Sequence, residues 1–468
     1  MDGETTEGVK KLLGDPKKAI LSISLPMMVA MMVNSIYNIV DGFWVAGLGA
    51  DALAAVGLFF PFFMIVVALG AGIGVGGSSA ISRRIGAKDK EGADNTADHT
   101  IIIGVIISLL ISIPILPFLN DIFSAMTGNT NVVNLATQYG SILFGGAFIL
   151  IFYNMANAIL RGEGDTKRAM YAIIFGSIMN ATLDPILIYT LDLGVAGAAW
   201  STVISMSATS LIFIYWLFYK KDTFVDFNLK RFKQDRGIIK EILEVGIPSS
   251  LAQLSMSISI VVLNVIVIAA AGSDGVAVFT SGWRIINLGI IPLIGMSMGV
   301  TAVTGAAFGS KDKGKLKTSF LYAIKIGILI EVIAAVLVVI FAPQVAYIFT
   351  YSPDAARIYD ELVVFLRITS AMFIVVPLGM LTSAMFRGVK KGVRSLIVTI
   401  MRTIFFQIPF VFLLGIVLDY GLIGIWVGIV LGNLTASVIT FTWGKMTIEN
   451  LFEKEEEEIS KKKVVPQS

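Results

Sequence analysis

Twelve stretches of about 20 or more mostly apolar residues follow one another along this chain, and each is long enough to cross the hydrocarbon core of a bilayer. They lie at about 19–47, 53–81, 101–119, 135–160, 170–191, 196–219, 242–271, 276–305, 320–342, 362–386, 396–418 and 423–443. Backbone in lipid must satisfy its own hydrogen bonds, so runs of this length fold as helices. The expected fold class is an all-α polytopic membrane protein with about twelve transmembrane helices. Composition excludes a soluble core: 56% of the residues are hydrophobic and 15% are charged, against about 45–50% and about 25% in soluble domains.

Charge sets the expected orientation. Loops after the even-numbered runs are rich in Lys and Arg, as at Arg83, Arg84, Lys88 and Lys90. Loops after the odd-numbered runs carry Asp51, Asp121, Asp192, Asp274, Asp354 and Asp419, with Arg357 nearly the only base. The positive-inside rule then puts the even loops and both termini in the cytoplasm of a multi-pass plasma-membrane protein. No cleaved signal peptide is expected, because the first run follows a mixed-charge leader and is too long for an h-region. The chain has no cysteine, which excludes disulfides, thiolate metal sites and cysteine nucleophiles.

The second half of the chain repeats the first. Ile85-Gly-Ala-Lys-Asp-Lys90 matches Phe308-Gly-Ser-Lys-Asp-Lys313, and Leu160-Arg-Gly162 matches Phe386-Arg-Gly388. Leu193-Gly-Val-Ala-Gly197 resembles Tyr420-Gly-Leu-Ile-Gly424, and Leu25-Pro26 matches Ile247-Pro248. The expected organisation is two pseudo-symmetric six-helix lobes, residues 1–219 and 241–446. A basic cytoplasmic linker, 220–240, joins them, and a charged cytoplasmic tail, 447–468, follows. Parallel repeats of this kind are a transporter design, with the site near midplane.

Two acids stand inside the apolar runs of the first half, Asp41 and Asp184. A carboxylate at membrane depth is costly and is read by default as functional. Asn34, Tyr37 and Asp41 fall at i, i+3 and i+7, on one helical face. Asn180 precedes Asp184 by one turn, Pro185 follows it and should bend the helix, and Pro26 should bend the first span. The fourth span carries Tyr139, Asn154 and Asn157; the sixth carries Ser201, Thr202 and Ser205. The acids could hold and release a proton, or Asp41 and Asp184 with Asn180 and Thr202 could furnish a hard-oxygen shell for an alkali cation. A lone Asn or Ser in a span is ordinarily interhelical glue. The second half has Leu263 and Asn264 where Asp41 would fall and no acid like Asp184, so the expected site is local to the first lobe.

Other charges read as structural. Arg284 and Glu331 are expected to pair, Lys325 to snorkel, and His99, the only histidine, to lie at the membrane edge. Arg367 and Arg402 stand early in spans ten and eleven, and a methionine cluster at Met27, Met28, Met31 and Met32 reads first as packing. No Gly-x-x-x-x-Gly-Lys-Ser/Thr loop is present, so transport would draw on an ion gradient and no cofactor is expected.

Ile36-Tyr-Asn-Ile-Val-Asp41 with Val45-Ala-Gly-Leu-Gly49, Leu160-Arg-Gly-Glu-Gly-Asp165 and Asn180-x-x-x-Asp184-Pro185 together resemble the multidrug and toxic compound extrusion (MATE) transporters, in their DinF-like branch. The resemblance spans about 14–446. It implies a V-shaped pair of lobes that works by alternating access and exports amphipathic, often cationic, drug-like or toxic organic compounds in exchange for H+ or Na+. It implies that Asp41, Asn180, Asp184 and Thr202 hold the coupling ion, and that Tyr37, Tyr139 and Asn157 line the same cavity. Asn34, where archaeal members carry Gln, and Asn154 are assigned to that cavity too. The expected partners are a small-molecule substrate and the lipid bilayer; no nucleic acid is expected, and the protein is expected to be a monomer and not an enzyme. A flippase for a lipid or lipid-linked saccharide, a function found in distant relatives, is the alternative.

Overall fold

The computed structural model describes residues 5–220, 222–227 and 232–451. Among them the chain is helical throughout, with no strand. A short helix, Glu7–Leu13, precedes α1 (Pro16–Ala46), which Asp15 caps by accepting from Lys17 N and Lys18 N. There follow α2 (Ala50–Gly86), α3 (Lys90–Ile115), α4 (Thr130–Gly145 and Ala147–Gly162, bent by 47°), α5 (Thr166–Pro185) and α6 (Gly194–Ile214). The helix Arg236–Gly309 is 74 residues long and breaks at Gly272, where φ is 62°; 236–271 is α7 and 273–309 is α8. Then come α9 (Lys313–Phe349), α10 (Ala356–Thr369 and Met372–Gly388, bent by 50°), α11 (Gly392–Val417) and α12 (Gly421–Asn450). With α7 and α8 separated at Gly272, the twelve spans are present.

The backbone reproduces the repeat. Every described residue with positive φ has a partner in the other half: Gly49 with Gly272, Lys88 with Lys311, Gly164 with Lys390, Asp192 with Asp419, and Gly194 with Gly421. The two bent helices, α4 and α10, correspond, and so do the π-helical turns Ile186–Thr190 after α5 and Leu413–Val417 in α11. Asp89 caps α3 and Asp312 caps α9 in the same way. Two six-helix lobes, α1–α6 and α7–α12, result.

The lobes meet at one end only, the end that carries the start of α1 and the finish of α12. A Cβ on Gly86 would lie 2.0 Å from Ala306 O, one on Gly309 1.8 Å from Arg83 O, and one on Gly76 2.2 Å from Ile242 O. Small residues let helices approach this closely in lipid. Charge joins the same surfaces. Arg83 and Arg84 of α2 both pair with Glu241 of α7 at 3.0 Å, and Arg83 Nη1 donates to Gly388 O at 3.0 Å. In the opposite half no hydrogen bond or ion pair among the described residues joins the lobes, and Ile36, Ile39 and Phe43 of α1 are exposed. The molecule is a V that is closed at its terminus end.

Two expectations are corrected, the Arg284–Glu331 pair and the extent of the linker. Arg284 and Glu331 do not pair. Glu331 is fully buried, with both carboxylate oxygens unpartnered. It lies one turn past Gly327, which packs inside the second lobe against Leu381, Pro377 and Leu293. Arg284 lies three turns before Gly295, whose face of α8 meets Met28 of α1, so it sits on the cleft-lining face. Helical phase separates the two groups. His99 is buried rather than exposed: its Nδ1 meets Asn95 O at 2.7 Å and its Nε2 accepts from Asp235 N at 3.1 Å, fastening the linker to α3. The 220–240 stretch is not all linker, since α7 begins at Arg236 behind the Asp235 cap. Lys221, Lys230, Arg231 and the tail beyond residue 451 lie outside the described residues. α1 runs unbroken through Pro26, and the helix turn after Pro185 widens to a π turn.

Candidate functional site

The site forms where α1, α5 and α6 converge in the outer half of the first lobe. Gly197 makes the convergence possible. A Cβ there would stand 2.6 Å from Leu187 O, so α6 rests directly on the π turn after α5. On α6, Ser201, Thr202 and Ser205 share one face and are all buried. On α5, Asn180 and Asp184 are buried one turn apart, Asp184 completely.

These groups form a closed set of hydrogen bonds. Ser201 Oγ donates to Asp184 Oδ1. The Asn180 amide satisfies both of its ends when Nδ2 donates to Asp184 Oδ2 at 3.0 Å and its oxygen accepts from Ser205 Oγ and Thr202 Oγ1, each at 3.3 Å. From α1, Tyr37 and Asp41 come within electrostatic reach of Asp184, and Tyr37 also lies near the Thr202 side chain. Tyr139 of α4 stands within the electrostatic reach of both acids, with its ring edge-on to Phe59 at 5.3 Å. Asp41 and Tyr37 are half-buried.

Asp41, Asp184, Asn180, Thr202, Tyr37 and Tyr139 are therefore brought together. Asn157, assigned with them, is not. Asn157 Nδ2 donates to Ala169 O at 3.2 Å, and its oxygen accepts from Arg161. Ala169 is 15 residues before Asp184 on α5, roughly 22 Å away along a helix. Asn154 Nδ2 bonds Leu150 O of its own helix, and Asn34 accepts from Asn38. Ser201 and Ser205 join the set without having been assigned to it. Their signal in the sequence is the i, i+1, i+4 spacing with Thr202.

A helical V of two six-helix lobes with an acid pair set in one of them is the architecture of a membrane transporter. The MatE family model matches residues 26–186 and 248–413, one segment in each lobe, and the chain belongs to that family. Among curated relatives it is similar to the multidrug export protein MepA of Staphylococcus aureus (strain NCTC 8325 / PS 47), with 28% identity over 419 residues, 87% of this chain and 89% of that protein. The MepA of Staphylococcus haemolyticus (strain JCSC1435) is 27% identical over 376 residues, 80% of this chain and 82% of its own. Among solved structures, a MATE in complex with MaL6 superposes with a TM-score of 0.93 at 52% identity, covering 96% of this chain and 99% of that one. A transporter of the MOP superfamily from Pyrococcus furiosus superposes with a TM-score of 0.92 at 52% identity, over 96% and 99% of the two chains; a reverse polarity of its binding pocket is described as suggesting a different function. The chain is thus a MATE-family membrane transporter and not an enzyme.

Proposed function

We propose that this transporter exports amphipathic, cationic organic compounds in exchange for H+ or Na+, with the coupling ion taken at Asp41 and Asp184. The proximity of those two acids, each within electrostatic reach of the other, carries the reading. Two ionised carboxylates within such reach repel, and a proton or a monovalent cation between them removes the repulsion. Asn180 and Thr202 add neutral oxygens that a sodium ion accepts, and Ser201 steadies Asp184. With Asp41 and Tyr37 half-buried, the set can exchange its ion with drug by competition or by a change in how α1 packs. The basic loops around the closed end support a cytoplasmic placement of both termini, with the cleft then facing outward. The lobes share one tightly packed interface within a single chain, which supports a monomer as the working unit.

Protein reconstituted in liposomes should expel ethidium when given an ion gradient. Asp41→Asn and Asp184→Asn should each abolish the response while the fold is retained. Undiminished transport in both variants would overturn the coupling site.

One observation favours a second reading, a flippase for an anionic or phosphate-bearing amphiphile. Arg284 is exposed on the cleft-lining face of α8, where a substrate would meet a positive charge. The reverse polarity described for the Pyrococcus furiosus relative supports the same comparison.

A further inference from the structure

At the closed end, between the α2–α3 turn and the linker, lies a cavity of about 970 Å³. We propose that it is a binding site for an organic polycation, an aliphatic chain bearing two or more protonated amines. Its lining is acidic: Asp94 and Asp98 come from α3, and Asp226 and Asp235 come from the linker, with Phe232 as an apolar wall. Asp98 is 5% exposed and faces this cavity, and its Oδ1 has no hydrogen-bond partner. The charges that act on it are those of Asp94 and Asp226, both acids. A carboxylate buried without donor or counter-ion is costly, and a bound cation would supply both.

Three basic side chains, Arg84, Lys90 and Lys233, also line the cavity, and each is already paired with an acid. Lys90 Nζ pairs with Asp94 at 2.5 Å, Lys233 with Glu91 at 3.2 Å, and Arg84 with Glu241 at 3.0 Å. Asp98 and Asp226 are left as two like charges on opposite walls, one on α3 and one on the linker. The walls are fixed in place. Asn95 Nδ2 donates to Lys233 O at 2.9 Å, Asp226 N donates to Asp94 Oδ1 at 2.8 Å, and the Phe232 ring lies 4.7 Å from that of His99.

An organic amine fits better than a metal ion. The volume is that of a small-molecule site, about 300–1,000 Å³. Among the described residues no three acidic or histidine side chains converge as metal ligands. Acids beside an aromatic face suit an ammonium group. The cavity is far from Asp41 and Asp184, so it stands independently of the coupling proposal.

The test is calorimetric titration of spermidine into the full chain in detergent at low ionic strength. One saturable site is expected. Asp98→Asn should weaken it at least tenfold, and so should Asp226→Asn, whose half-buried position on the linker keeps the test sound if the Asp98 variant folds poorly. The Asp41→Asn/Asp184→Asn double variant should bind spermidine as the wild type does. The absence of saturable binding, or equal binding by both the Asp98 and the Asp226 variants, overturns the proposal. So does Mg2+ alone, if it binds more tightly than spermidine, displaces it and loses affinity in Asp98→Asn.

Discussion

Asn180 lies one helical turn before Asp184 and donates to its Oδ2 at 3.0 Å, while its own oxygen takes hydroxyls from α6. The amide thus sets which way the carboxylate points and ties it to the partner helix. Outer partners of an ion ligand typically carry 10–100-fold in affinity. On the proposed coupling, Asn180→Ala should raise the Na+ or proton concentration for half-maximal export by about 10–100-fold. Ser201→Ala, which removes the other donor to Asp184, should act in the same direction. The measurement is the ion dependence of export in liposomes, and an unchanged midpoint in both variants would remove these residues from the site.

Closure of the terminus end depends on glycine. Gly86 of α2 and Gly309 of α8 occupy equivalent places in the repeat, and each lies against the backbone of the opposite lobe. A methyl group at Gly86 would sit 2.0 Å from Ala306 O, far inside contact distance, and backbone cannot step aside as a side chain can. Gly86→Ala should therefore separate the lobes at this end and shift the population toward the opposite-facing state. Distances between spin labels on the α2–α3 and α8–α9 turns should lengthen in the variant. Unchanged distances would show that the interface relaxes around the methyl group.

Glu163 gives a pH dependence whose sign can be worked out. It sits between α4 and α5, fully buried, with Oε2 accepting from Val225 N at 3.0 Å and Oε1 unpartnered. Burial pushes its carboxyl up from 4.5 to about 8, against the smaller pull of the Val225 N–H. The folded protein thus holds this proton more tightly than the unfolded chain does. The stabilisation is full below about pH 4.5 and is lost as pH rises through about 8, a change on the order of a few kcal/mol. Thermal melting of the wild type should therefore fall between these limits, and Glu163→Gln should flatten the fall. A variant with the same pH profile as the wild type would put the titration elsewhere.

The spans and the repeat were legible because both are written locally. Apolar run length marks a membrane helix, and a Lys-Asp or Gly turn with positive φ at Lys88 and Lys311 leaves the same short motif twice. Asp41 and Asp184 stood out because a carboxylate in an apolar run is costly to keep without a function. Ser201 and Ser205 did not, because serine is common in packed helices and only the approach of α6 at Gly197 reveals their role. The expected Arg284–Glu331 pair fails because two residues at similar depth can face opposite sides of a lobe. Asn157 was grouped with the acids by resemblance, yet its amide binds Ala169 O at the other end of α5. Which end of the V is closed was not readable at all, since it rests on glycine contacts between segments far apart in sequence.

Arg284 discriminates between the two functional readings. Its guanidinium is exposed on the face of α8 that lines the cleft, and it makes no ion pair among the described residues. A cation drawn into the cleft must pass this charge, and an unpaired surface-type repulsion is worth roughly 1 kcal/mol or less, about fivefold in binding. If cationic compounds are the substrates, Arg284→Ala should lower the KM for ethidium several-fold and leave the maximal rate and the ion dependence in place. If the cargo is an anionic amphiphile, the same substitution should slow its movement and leave ethidium unaffected. Export of ethidium and transfer of a fluorescent phosphate-bearing lipid, measured side by side on wild type and variant liposomes, separate the outcomes. A lowered KM for ethidium with unchanged lipid transfer is the result expected here, and the reverse pattern would replace drug export with lipid flipping as the function of this cleft.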